Sequence, residues 1–459
     1  MKILILGAGR VGSSVAESLV SEQNDITVID IDSQALDALR DRFDLRSVVG
    51  NGTHISVLRD AGAEDTDLLI ACLTRDESNL VACKIAKQVF NIPTRIARAR
   101  SSEFLDHPEL MGEEGFCVDH LICPERSVTD RIGRLIEFPE ALQVIGMADD
   151  KVTLVAVRAE PGSPLVSHPI AVLREHIPNV DSRIVAIFRN GKLVMPSGAT
   201  RIEPGDDVFC MAPTENIRQV LRELHTRDKP NRRIMIAGGG NIGMRLAQEL
   251  DRGGYQVKLI ETNRKRCEQL TSLLSHNTLV LNGDATDEAL LDAENVGDMD
   301  LFLALTNDDE NNIMSSLLAK RMGARRVIAI INRKSYGELM EGGRIDIAIA
   351  PAQTTLSELL RHVRRGDVVA VHSLRRGAAE VLEAVAHGDR KSSKVVGRRI
   401  EDIDLPRSTT IGAVVRQGQV LIAHHDTVIE NGDHVIVFVA SRRQIPKVEK
   451  LFQVSVAYL

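Results

Sequence analysis

The chain has 459 residues, enough for three or four domains at roughly 100–200 residues each. It is 43 % apolar but only 3 % aromatic, with no Trp, so cores must be packed from Ile, Leu, Val and Ala, and an aromatic platform for single-stranded nucleic acid is excluded. A net charge of −7 lacks the electrostatic footprint of a general nucleic-acid binder, and short basic runs such as Arg264-Lys265-Arg266 and Arg398-Arg399 read as solvated faces. In chain order, the first stretch alternates apolar strands at 2–6, 26–29, 47–49, 68–72, 95–97 and 117–121 with helical periodicity at 11–19, 34–42 and 78–90. A further helix is expected from Pro124 to 136, with Pro at its start, and a matching one from Pro351 to 363. Continuous apolar strands separated by helices predict a parallel sheet. The segments after each such stretch carry short β-branched runs joined at Asn190-Gly191, Pro204-Gly205 and Asn431-Gly432, which read as hairpins in small α+β domains.

Internal repetition organises the whole chain. KILILGAGRVG at the start matches RIMIAGGGNIG from Arg233, so that Gly7 corresponds to Gly238 and Asp30 to Glu261. Gly50–Thr53 (GNGT) matches Gly283–Thr286 (GDAT), and Leu73-Thr74-Arg75-Asp76-Glu77 matches Leu305-Thr306-Asn307-Asp308-Asp309. SRIVAIFRNGKLVMPSGATRIEPGDDVFCM from Ser182 resembles TTIGAVVRQGQVLIAHHDTVIENGDHVIVF from Thr409. The expected order is a first parallel-sheet domain over 1–136, a small domain over 137–226, a second parallel-sheet domain over 232–364 and a second small domain over 366–453, with a polar linker at Thr226–Asn231.

G-x-G-x-x-G between a strand and a helix occurs twice, at Gly7-Ala8-Gly9-Arg10-Val11-Gly12 and Gly238-Gly239-Gly240-Asn241-Ile242-Gly243. The first glycine permits a tight turn, the second lets the backbone approach a pyrophosphate, and the third lets helix and strand pack closely. Phosphate oxygens then meet the free N–H groups and positive end of the helix. An acid follows 18 residues past each third glycine, Asp30 and Glu261, placed to accept hydrogen bonds from ribose hydroxyls and to repel a 2′-phosphate. The fold predicted is therefore α/β, with two Rossmann-like doubly wound parallel-sheet domains, each followed by a small α+β domain. The remaining candidates lie at the carboxyl ends of the strands: Thr53 and Asp284 in the GNGT and GDAT turns, the backbone of Leu73-Thr74 and of Leu305-Thr306, and Arg98. Thr74 with an acid three residues on reads as a capping box. Arg98 aligns with Ile331 and Arg100 with Arg333, so the second copy lacks a phosphate contact that the first offers.

No catalytic apparatus accompanies these loops. His54 meets Asp287 in the second copy, His107 and His120 have no His counterparts, and G-x-S-x-G, H-E-x-x-H and Walker A patterns are absent. His424-His425-Asp426 is replaced by Ser197-Gly198-Ala199 in the first copy, so it reads as a polar hairpin loop and no metal is expected. The six cysteines form no C-x-x-C pair, Cys72 and Cys117 read as core residues, and a reducing compartment is expected. No apolar stretch reaches the 18 or so residues that span a bilayer, and the apolar start is too short for a signal peptide with Arg10 following at once. A soluble ligand sensor is the leading expectation. An NAD-dependent oxidoreductase with a duplicated cofactor domain is the alternative, and a scaffold with vestigial loops is a third.

With these motifs in this order, the chain resembles the peripheral nucleotide-binding subunits of bacterial Trk potassium-uptake systems. The glycine-loop units are similar to the N-terminal part, and the R-x-G … E-x-G-D units (Arg189-Asn190-Gly191 … Glu203-Pro204-Gly205-Asp206 and Arg416-Gln417-Gly418 … Glu430-Asn431-Gly432-Asp433) to the C-terminal part, of domains that regulate potassium conductance. The resemblance covers essentially the whole chain and implies a non-catalytic cytoplasmic protein, attached to the inner face of the membrane through a membrane-embedded potassium-translocating subunit. It implies a homotetramer that binds NAD(H), with ATP or ADP as further ligands. It implies contacts from Gly7, Ala8, Gly9, Arg10, Val11, Asp30, Leu73-Thr74 and Arg98 in the first copy, and from Gly238, Gly239, Gly240, Asn241, Ile242, Glu261 and Leu305-Thr306 in the second.

Overall fold

A computed structural model describes all residues except 21–23, 102, 227–228, 276, 334, 337–344, 364–367, 375–377 and 454–459. Part of the expected linker (227–228) and the expected 364/366 boundary fall outside the described residues.

The first unit is a six-stranded parallel sheet, β1 (Lys2–Leu6), β2 (Asp25–Asp30), β3 (Arg46–Val49), β4 (Leu68–Ala71), β5 (Thr94–Arg98) and β6 (His120–Ile122), in the order β3-β2-β1-β4-β5-β6. The order reverses between β1 and β4, and the loop after β1 opens at that switch point. β1 and β4 are apolar on both faces because helices cover both, as their unbroken Ile/Leu runs require. The sixth strand begins three residues later than expected: Cys117 has φ +57° and belongs to the turn before the strand. A five-stranded antiparallel sheet follows, β7 (Ala141–Met147), β8 (Val152–Arg158), β9 (Arg183–Arg189), β10 (Lys192–Val194) and β11 (Asp207–Pro213), ordered β10-β9-β11-β8-β7. Asn190 and Gly191 both take positive φ, +50° and +77°, as a two-residue hairpin turn demands.

The second half repeats both sheets. β12 (Arg233–Ala237), β13 (Gln256–Glu261), β14 (Thr278–Asn282), β15 (Leu301–Ala304), β16 (Val327–Ile330) and β17 (Ile347–Ile349) run parallel in the order β14-β13-β12-β15-β16-β17. β18 (Val368–Leu374), β19 (Ala379–Val385), β20 (Thr409–Arg416), β21 (Gln419–Ile422) and β22 (His434–Val439) form the antiparallel order β18-β19-β22-β20-β21.

The helix after each parallel sheet crosses to the other copy. Pro124–Glu137 buries Val128, Ile132, Leu135 and Ile136, one face at helical spacing, in a core shared with Ile234, Leu246, Leu250 and Leu259 of the second parallel-sheet unit. Pro351–Val363 buries Leu356, Leu359, Leu360 and Val363 against Ile3, Val15, Leu19 and Val28 of the first. Each fully buried side chain of this kind contributes roughly 1.5–3 kcal/mol, so neither unit completes its core without the other half. The two antiparallel sheets also share a core, in which Leu154, Phe209 and Met211 of the first sheet meet Val381, Ile436 and Phe438 of the second.

The R-x-G … E-x-G-D motifs are internal clamps. Asp206, 1 % exposed, accepts Arg189 Nε and Nη2 at 2.9 and 2.8 Å and the Glu203 N–H at 2.8 Å. Asp433 does the same for Arg416 and Glu430.

Candidate functional site

The two glycine loops show which glycines the chain itself needs. Gly7 has φ +104°, donates its N–H to Ile29 O at 2.8 Å, and would place a Cβ 2.7 Å from Cys72 O. A Cβ on Gly12 would lie 1.9 Å from Gly7 O. Gly238, at φ +107°, and Gly243, again 1.9 Å from a carbonyl, repeat both constraints. Around the middle glycines, Gly9 and Gly240, a Cβ would meet nothing within 4 Å. Nothing in the described chain needs glycine there; the bare backbone leaves a cradle that a methyl group would fill.

The acids brace the loops. Asp30 accepts the N–H of Ala8 and, at 2.9 Å, that of Asp32. Glu261 accepts Gly239 N–H at 2.9 Å, Asn263 N–H at 2.8 Å and the Thr262 hydroxyl at 3.3 Å.

Both clefts open into one cavity of about 860 Å³. Gly7, Gly9, Arg10, Val11, Asp30, Leu73, Thr74 and Arg98 line it from the first copy, and Gly240, Asn241, Ile242, Leu305 and Thr306 from the second. The other expected residues, Ala8, Thr53, Gly238, Gly239, Glu261 and Asp284, do not line it. Thr53 gives both its N–H and its hydroxyl to Asn51 Oδ1, and Asp284 Oδ1 takes the N–H and hydroxyl of Thr286 in the same way. These are local turn locks, and in the first copy Asn51 and Gly52 reach the cavity in place of Thr53.

Three sequence alignments between the copies shift by one residue. Buried Asn79 accepts Leu73 N–H at 2.7 Å and donates to Leu73 O and Arg98 O; buried Asn312 does so with Thr306 N–H, Thr306 O and Ile330 O. Leu73 therefore corresponds to Thr306 and Arg98 to Ile330, not to Leu305 and Ile331. Asp76 accepts the N–H of Arg100 where Asp309 accepts that of Asn332, so Arg100 corresponds to Asn332 and not to Arg333. The matching "LT" dipeptides drew the alignment off register, whereas the asparagine bridges fix it. The capping box is also absent: the helix Asp76–Phe90 begins after Arg75, which gives no side-chain cap, and its counterpart Asp309–Arg321 is capped by Asp308.

In this register Arg10, Arg75, Arg98 and Arg100 of the first cleft correspond to Asn241, Asp308, Ile330 and Asn332 of the second. Arg98 donates to Leu73 O at 2.9 Å, while its buried Nε has no partner among the described residues. Glu125, in the first turn of the crossing helix, also lines the cavity with a buried, unpartnered Oε2. Burial pushes its carboxyl up, against the pull of Arg100 and Arg98. Ile31 lines the first cleft with 77 % of its surface exposed. Sequence reasoning passed over both. Glu125 looks like any first-turn helix acid, and only the apolar residue left after the strand-ending Asp30 could have flagged Ile31. An orphaned guanidinium nitrogen, an open glycine cradle and an exposed apolar platform together fit an adenosine dinucleotide.

His424 lies against the first copy, with Nε2 3.5 Å from Asp181 and its ring beside Arg174. All six cysteines are free and buried. Among the described residues no helix is long and apolar enough to cross a membrane.

The TrkA-N domain model matches residues 3–124 and 234–351, and the TrkA-C domain model matches 154–225 and 390–453. The Trk system potassium uptake protein TrkA of Halomonas elongata is 54 % identical over the full length of both chains, and that of Vibrio alginolyticus is equally so. A TrkA homolog of Archaeoglobus fulgidus is 34 % identical over 99 % of this chain and 100 % of its own. Among solved structures, the GsuK RCK domain superposes with a TM-score of 0.62 at 19 % identity, covering 98 % of this chain and 94 % of that one. The GsuK channel bound to NAD superposes at 0.61 and 17 % identity, covering 98 % and 79 %. The relatives are named as potassium uptake proteins, which speaks against the oxidoreductase alternative. The chain belongs to the TrkA family of Trk potassium-uptake proteins, with TrkA-N and TrkA-C domains each present twice.

Proposed function

We propose that this chain is the nucleotide-sensing regulatory subunit of a potassium-uptake system. Four domains at the expected boundaries, 1–136, 137–226, 232–364 and 366–453, would act as two sensor pairs. NAD(H) would be the dinucleotide of the first cleft, with ATP or ADP as competing adenine nucleotides. Gly7, Ala8, Gly9, Arg10 and Val11 would hold the pyrophosphate on loop N–H groups and the helix end. Asp30 would accept the ribose hydroxyls, and Leu73-Thr74 and Arg98 would border the distal half. Gly238, Gly239, Gly240, Asn241, Ile242, Glu261, Leu305 and Thr306 would form the corresponding, less cationic second cleft, with Thr53 and Asp284 stiffening the turns beside each. The bound dinucleotide supplies charge and bulk at the seam between the copies, not a reacting group.

The observation that carries this reading is the shared cavity. Both clefts open onto the starts of the crossing helices, at Pro124 and Pro351, so a ligand in one bears on elements packed against the other copy. A ligand that binds one arrangement of the two halves more tightly shifts the population toward it, and a few kcal/mol of difference suffices. The readout is a membrane-embedded potassium-translocating partner, with a homotetramer of this chain docked in the cytoplasm on its inner face. Potassium uptake in cells lacking the gene tests this. The intact gene restores rapid uptake, and a Gly9→Ala/Gly240→Ala gene yields uptake that no longer responds to the NADH/NAD ratio. Uptake that responds as before would overturn the proposal.

A further inference from the structure

The second cleft has lost the four arginines of the first, yet a guanidinium sits against its loop from the opposite side. Arg266, in the first turn of the helix Arg264–Leu273, donates its Nε to Gly239 O at 2.9 Å. Nη1 reaches Gln269 Oε1 at 3.2 Å and Nη2 the Met244 sulfur at 3.3 Å. In the first copy the equivalent carbonyl, Ala8 O, is satisfied by the Ser13 hydroxyl at 2.6 Å. Ser13 corresponds to Met244, and Ala35 to Arg266, at the spacing that relates the two glycine loops. A serine and an alanine are thus exchanged for a methionine and an arginine around one loop carbonyl. Supporting the carbonyl needs only a hydroxyl, so that duty alone does not call for a guanidinium. Three cations at the start of a helix, Arg264-Lys265-Arg266, also oppose the helix dipole.

With Glu261 as the ribose acceptor of the proposed reading, Arg266 stands on the adenosine side of the second glycine loop, beside the residues that line the shared cavity and not among them. Glu261, the ribose-reading acid, bonds Gly239 N–H on the same residue whose carbonyl Arg266 holds. The apolar platform of the first cleft, Ile31, becomes Thr262, whose hydroxyl turns to Glu261 and offers no flat surface. A half-buried guanidinium with three of its five donors committed can stack on a purine and keep donors for a phosphate oxygen.

We propose that Arg266 is the ligand-gripping cation of the second cleft, so that this cleft holds an adenosine phosphate from its adenosine side, whereas the first holds its ligand from the arginines at the end of β5. The inference rests on the second cleft being a nucleotide site. The test uses the full chain with Asp30→Ala/Arg98→Ala to weaken the first cleft, ADP as the probe and calorimetry as the readout. In that background Arg266→Ala is expected to weaken ADP binding by about tenfold or more, as loss of a charge-assisted contact does. Met244→Ser/Arg266→Ala, which rebuilds the first copy's carbonyl support, should melt as the parent does and remain as weak a binder. Recovery of affinity in that double variant, or unchanged affinity in Arg266→Ala, would overturn the proposal, since Arg266 would then only support the loop or do nothing. No ADP binding in the background chain would instead remove the nucleotide reading of the second cleft, and the proposal with it.

Discussion

Gly9→Ala and Gly12→Ala are the same chemical change three residues apart, and the structure gives them opposite consequences. At Gly12 the new Cβ would lie 1.9 Å from Gly7 O, against a normal closest approach of 3.0 Å, so loop and helix must separate by about an ångström. Overpacking of that kind costs roughly 1–3 kcal/mol, and the first parallel-sheet unit should melt several degrees earlier. At Gly9 the Cβ meets nothing within 4 Å and the backbone needs no left-handed conformation. Stability there should be unchanged or rise by about 0.4–1 kcal/mol, because alanine restricts the unfolded chain. The added methyl instead occupies the cradle and holds a phosphate away from the loop N–H groups. Losing one hydrogen bond to a charged group, roughly 1.5–3 kcal/mol, weakens binding by about 10- to 150-fold. Circular-dichroism melts and NADH titration calorimetry read the two effects separately. A Gly9→Ala chain that binds NADH like the parent refutes the cradle, and a Gly12→Ala chain that melts like the parent refutes the close approach.

Arg98→Ile gives the first cleft the residue that the second carries at Ile330, and calorimetry should show NADH affinity falling about tenfold with no change in the second cleft. Asp206→Ala strands Arg189, which is 27 % exposed, and removes three hydrogen bonds that the buried carboxylate accepts; the cost, about 3 kcal/mol in urea unfolding, should be matched by Asp433→Ala in the repeat. Burial works to raise the Asp300 carboxyl, but the N–H groups of Arg233 and Arg232 and the charges of Arg325 and Lys229 outweigh it and hold it below the ordinary 3.8. A depressed folded value means that stability is present above pH ~3.8 and is lost as pH falls through the folded pKa, so Asp300→Asn should flatten the acid limb of the Tm profile; an unchanged limb would sink the assignment.

The sequence by itself determined the local frames. Unbroken Ile/Leu/Val runs between helices dictate parallel strands buried on both faces, and two G-x-G-x-x-G turns with an acid 18 residues on mark both clefts. Duplication made the architecture of one half serve for the other. The copies' register at strands four and five was not legible, because matching Leu-Thr dipeptides outweighed in letters what Asn79 and Asn312 fix through hydrogen bonds to residues far along the chain. Nor was the partner of the crossing helices. The apolar stripe of Pro124–Glu137 announces that it must be covered, but an amphipathic pattern carries no address for what covers it. Only the assembled tertiary structure decides that the stripe lies on the second copy's sheet, and only that crossing brings two clefts more than two hundred residues apart in the chain into one cavity.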